Sequence, residues 1–131
     1  MKRLIVISAL LLSGCTVVQA YLMAKYDANE HLMINDIRTT AELANCSNNT
    51  EMKIAAQRLY GTSVSLKNYS SSIPDNEPVA AMAEGLLEIV QGMRDKYQSS
   101  NVVNPTYCKL KIESIVAAST EAQRVIARKP K

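Results

Sequence analysis

Between Glu77 and Gln98 the apolar residues Val79, Met82, Ala83, Leu86, Ile89, Val90, Met93 and Tyr97 return at steps of three and four. On an α-helix that spacing gathers them into one stripe, which water would leave exposed unless other elements cover it. A chain built on such a segment has to fold as packed helices.

The rest of the chain supplies the partners. Glycine and proline are scarce at four each, Phe and Trp are absent, and Ala, Leu, Ile, Val and Met carry the apolar content. This is a helical palette. Alternating runs of β-branched and aromatic residues do not occur after Cys15, which disfavours a small barrel or sandwich. The expected fold class is all-α.

Four helices can be placed. The first is expected over about 27–45, with Glu30, Ile34, Ile37, Ala41 and Ala44 on one face. It ends at the turn formers Asn45-Cys46-Ser47-Asn48-Asn49, where Asn48 and Glu51 have capping-box spacing for the next helix. That second helix should reach about Tyr69 with Met52, Ala55, Leu59, Leu66 and Tyr69 on its inner side and a possible kink at Gly61. Ser70 to Asn76 is the clearest loop, and the third helix covers 77–98. Asn104-Pro105 is an N-cap followed by proline in the first turn. The fourth helix then carries Cys108, Ile112, Ile115, Ser119, Ala122 and Ile126, and Arg128 to Lys131 is expected to fray. Short connections favour antiparallel neighbours, so the expected architecture is a small antiparallel four-helix bundle.

The N-terminus carries a different message. Met1-Lys2-Arg3, the apolar run Leu4 to Leu12 and then Ser13-Gly14-Cys15 have the order of a secretory signal, and the run is far too short to span a bilayer. Leu12-Ser13-Gly14-Cys15 resembles the lipobox of bacterial lipoproteins. The resemblance implies that residues 1–14 are cleaved and that Cys15 becomes a lipidated, acylated N-terminus. Several acyl chains on one residue hold far more firmly than one, at about 0.8 kcal/mol per buried methylene. Thr16 stands where lipoproteins retained in the inner membrane typically carry aspartate. By resemblance, the protein belongs on the outer membrane, facing the periplasm. Residues 15–26 would be a lipidated tether, itself helix-compatible, and 27–131 the helical domain.

Removing residues 1–14 leaves 117 of the 131 residues, one domain's worth. Lys2 and Arg3 leave with the signal, so 15 Lys and Arg become 13 against 12 Asp and Glu. A balance that close to neutral argues against nucleic acid as a partner. Lipidation would also leave Cys46 and Cys108 as the remaining thiols in an oxidising compartment. An internal disulfide is the favoured pairing, with free thiols or an intermolecular bridge as alternatives. In an up-down bundle the end of helix one and the start of helix four share a pole, which agrees with the internal bridge.

Catalytic patterns are missing. His31 is the single histidine, without partners for a metal site or a nucleophilic triad, and no glycine-rich phosphate loop occurs. No cofactor, small-molecule substrate or enzymatic activity is expected, and His31 reads as an ordinary surface residue near the membrane end. Glu84 and Glu88 read as a solvated helix face. Asn48-Asn49-Thr50 and Asn68-Tyr69-Ser70 match a glycosylation pattern but serve better as caps and turns. Most of the tyrosines should lie in or at the edge of the core. Charge is uneven. Residues 75–95 hold five acids against Arg94, while 104–131 hold six bases against Glu113 and Glu121. The expectation is mutual attraction of the third and fourth helices, the alternative an outward basic patch for an acidic partner or head groups.

A lipidated helical bundle with one disulfide from the end of helix one to the start of helix four resembles the helical pilotins of type II secretion, over residues 27–127. That resemblance implies a groove that grips a helical segment of an envelope partner. The alternatives are an exclusion lipoprotein of a plasmid or phage, which blocks DNA entry, and a structural envelope lipoprotein.

Overall fold

The computed structural model describes residues 23–131. The signal segment, Cys15 and the tether before Met23 lie outside the described residues. Four helices follow: α1 Ala28–Glu42, α2 Asn49–Ser72, α3 Glu77–Ser99 and α4 Pro105–Ala127. Each packs on its sequence neighbours, α1 closes the ring against α4, and the diagonal pairs do not meet. This is the expected antiparallel bundle. No strand is present among the described residues.

Local chemistry explains where the helices start. Asp27 caps α1 by accepting from the amides of Asn29 at 2.7 Å and Glu30 at 3.2 Å. Asn48 caps α2 through the amides of Thr50 and Glu51, while its Nδ2 donates to Glu51 Oε1 at 2.9 Å. Asn104 accepts from the Thr106 amide at 2.8 Å, just before Pro105. Asn76 is the exception, because it precedes α3 without capping it and turns its side chain inward instead.

The buried positions repeat in steps of four and three: Glu30, Ile34, Ile37 and Ala41 on α1, then Met52, Ala56, Leu59, Ser63, Leu66 and Ser70 on α2. Val79, Ala83, Leu86, Val90, Met93 and Tyr97 do the same on α3. Along α4 the fully buried set is Cys108, Ile115, Ser119, Ala122 and Ile126, with Ile112 half-buried in the gap. A 3.5-residue repeat keeps each seam facing its neighbours when helices cross at about 20°. The small residues Ala56, Ser63, Ala83, Ser119 and Ala122 in those seams allow close approach, and Tyr97 is the largest side chain enclosed.

Several expectations are corrected. On α2 the seam runs through Ala56, Ser63 and Ser70 rather than Ala55 and Tyr69, which are half-buried at its edge. The helix continues unbroken past Gly61. Residues 23–27 are not helical, because they are held across one pole by bonds to Asp75 and Pro130. The tyrosines follow their expectation: Tyr97 is fully buried, Tyr60, Tyr69 and Tyr107 lie half-buried at the edge of the core, and Tyr26 alone of those described is exposed. No ion pair joins α3 to α4 among the described residues: Glu84 pairs with Lys67 of α2, and Asp95 with its neighbour Arg94. Their opposite charges are solvated or matched elsewhere. The largest correction concerns the C-terminus, where Lys129 is buried rather than frayed.

Candidate functional site: grooves beside the disulfide, and a buried ion pair at the far pole

Helix α1 has 15 residues where its neighbours have 23 or 24, so it stops short at one end of the bundle. The chain from Leu43 to Asn48 fills the gap. Ser47 N donates to Asn45 Oδ1 at 3.1 Å, Asn48 N to Asn45 O at 3.0 Å, and Asn45 Nδ2 to Glu51 Oε2 at 3.3 Å, which folds the connection tightly. Cys46 in this connection is bonded to the fully buried Cys108 of α4. The two cysteines singled out in the sequence are thus brought together, and the connection is pinned to the fourth helix.

Pinned there, the connection forms a ridge with a groove on each side. The larger, of about 340 Å³, lies between α1 and α2. Small, half-buried residues line its inner side: Thr40, Ala44 and Ala55 leave a depression where larger side chains would fill the interhelical seam, with the exposed Thr39 at its rim. Leu43 and Ile54 stand beside it, 79% and 69% exposed. Apolar side chains that open to water cost free energy in proportion to their area, so a surface covering both would gain from their burial. One end of the groove is polar. There Asp36 accepts from Arg58 and, at 3.1 Å, from Thr62 Oγ1. The second groove, of about 300 Å³, lies between the ridge and α4 beside Ile112, Lys109 and Glu113. Nearby, burial pushes the Tyr107 phenol up, as burial and the neighbouring Tyr107 do for Tyr97.

The other pole is built differently. Glu30 on the first turn of α1 is wholly buried, takes the Lys129 ammonium on one oxygen and the Asn76 amide on the other, and Asn76 also donates to Ser70 O at 3.0 Å. His31 sits beside this cluster, half-buried with its ring 6.1 Å from that of Tyr26 and its Nδ1 enclosed without a hydrogen-bond partner. It is not the simple surface residue expected. Asp27 lies at the same pole. Burial alone would raise its carboxyl, but bonds from the Tyr69 hydroxyl and the Glu30 and Asn29 amides, with the charge of Lys129, outweigh that and hold it below the usual value.

One signal in the sequence pointed to this cluster. Glu30 occupies an apolar-face position four residues before Ile34, and a carboxylate at a seam position needs a partner. Nothing in local spacing named Lys129 as that partner. Leu43 and Ile54 were missed because neither belongs to an inward stripe. Among the described residues, no cluster of His, Cys, Asp or Glu could hold a metal ion, and no helix is long and apolar enough to cross a membrane. No protein-family model, curated protein or solved structure matches the chain.

Proposed function

We propose that the protein is a lipid-anchored binding protein of the outer membrane, attached through Cys15, whose groove between α1 and α2 receives apolar side chains from a helical segment of an envelope protein. The role is that of a pilotin-like assembly factor, without catalysis. The observation that carries this reading is the depression lined by Thr39, Thr40, Ala44 and Ala55 and flanked by the exposed Leu43 and Ile54. An amphipathic helix presents side chains at three- and four-residue intervals, and such a groove accepts one or two of them while leaving the polar face of the guest in water. The tether implied by the Cys15 resemblance enters at the opposite pole, which would leave the groove facing the periplasm.

The test is an affinity capture from gently solubilised envelopes with the lipidated protein, compared with Leu43→Asp/Ile54→Asp and Cys15→Ala versions. Recovery of a secretin that the groove variant loses supports the proposal. Recovery of a transfer or receptor protein would instead favour the exclusion reading, and equal recovery by the groove variant would remove the groove from consideration.

A further inference from the structure

Residues Met23–Asp27 cross the pole opposite the disulfide as a strap that is neither helix nor strand. Ala24 N donates to Asp75 O at 2.9 Å and Tyr26 N to Pro130 O at 2.8 Å, while Asp27 accepts from the Tyr69 hydroxyl at 2.9 Å. The acceptor for Tyr26 therefore belongs to the C-terminal tail. That tail is itself held in place by Lys129, whose ammonium lies inside the bundle on Glu30, and by the Arg128 and Lys129 amides, which close onto Val125 O and Ile126 O. Glu30, Asn76 and Lys129 are 0%, 1% and 3% exposed. The two ends of the described chain thus close over one buried charge pair.

We infer that strap and tail form a clasp that opens and closes as one unit, with Lys129 as its pin. The physical reason is that the two halves cannot part separately. Withdrawal of Lys129 leaves the Glu30 carboxylate buried without its cation, which a protein interior tolerates only by admitting water. It also carries off Pro130 O and with it the partner of Tyr26 N. Peeling of the strap breaks the same Tyr26 N–Pro130 O bond from the other side and loosens the tail that carries Lys129. Opening frees the four residues before the α1 cap, at about 3.3 Å each roughly 13 Å of chain. On the reading that Cys15 is lipidated, the clasp then sets how far the body and its groove stand from the membrane, and anything that engages the C-terminus changes that reach.

Hydrogen exchange on the mature protein in detergent micelles tests this. In the wild type, the Ala24, Tyr26, Arg128 and Lys129 amides should share one opening equilibrium, distinct from that of the α2 and α3 cores. In Lys129→Met, the acceleration of the strap amides should exceed that of the amides near Cys46–Cys108 by at least tenfold. Glu30→Gln/Lys129→Met should restore most of the protection, and Lys131→Gln should have no effect. Opening equilibria for strap and tail that differ by more than tenfold in the wild type, or uniform acceleration throughout Lys129→Met, would overturn the clasp. None of this requires the lipid. The reach is measured separately: the chain has no tryptophan, so Leu110→Trp in vesicle-anchored protein reports distance by energy transfer to dansyl lipid, which should fall when Lys129→Met is added. Unchanged transfer would overturn the control of reach, whereas failure to enter vesicles would count against lipidation and leave the exchange result standing.

Discussion

Lys129 Nζ and the Glu30 carboxylate bond across 99 residues of sequence with neither side chain exposed to solvent. The pair ties the last turn of the chain to the first turn of α1. Such pairs are costly to form and costlier to break by halves, because the surviving charge keeps its desolvation penalty without its partner. Lys129→Met should therefore lower unfolding stability by about 3–5 kcal/mol, and Glu30→Met/Lys129→Met should recover most of that loss. Urea unfolding followed by circular dichroism measures both.

Cys46–Cys108 closes a loop spanning a sequence separation of 62. On the chain-entropy account, Cys46→Ser/Cys108→Ala should cost about 4 kcal/mol, with the helices still formed below the transition because their seams do not depend on the bridge. A larger midpoint shift in the wild type than in the variant on adding a reductant is the check.

Ser63 points its hydroxyl into the seam of α2 with no hydrogen-bond partner. Ser63→Ala removes a buried unsatisfied group and improves helix propensity, so it should stabilise by about 0.5–1 kcal/mol. Thermal unfolding at neutral pH decides the sign.

The depressed carboxyl of Asp27 makes stability depend on acid. A carboxylate whose folded value lies below its unfolded 3.8 stabilises the fold fully above that value and loses the contribution as pH falls through the folded value. Wild type should thus lose stability below about pH 4 more steeply than Asp27→Asn. Near neutrality, Asp27→Ala should cost about 1 kcal/mol through the lost cap. Tyr69→Phe should raise the Asp27 carboxyl, readable by NMR titration.

Leu43 and Ile54 make little of the fold's stability because they face water. Leu43→Ser and Ile54→Ser should each change stability by no more than about 0.5 kcal/mol. If the groove binds a helical partner, the same changes should abolish capture, and a matched loss of stability would show instead that the two are structural.

Much of the fold was written locally. The 79–97 stripe, Asn48 with Glu51, and Asn104 before Pro105 are short-range signals, since apolar period and capping act within one or two turns. The cysteine pairing followed once helices one and four were seen to share a pole. The lipobox resemblance rests on residues 1–15, which lie outside the described residues. Which of two adjacent positions faces inward, Ala55 or Ala56, Tyr69 or Ser70, was not local, because a wide amphipathic face is consistent with either until the neighbouring helices fix the rotation.

Sequence by itself determined the number of helices, their starts and the all-α class, because each depends on periodicity or caps; it favoured the Cys46–Cys108 bridge, which the tertiary structure then formed. Only the tertiary structure decided that α1 stops short and leaves a groove beside its connection, and that Lys129 turns inward to meet Glu30. Grooves and buried pairs are properties of surfaces brought together by folding, and residues 99 apart carry no mark in local spacing of which one will supply the countercharge.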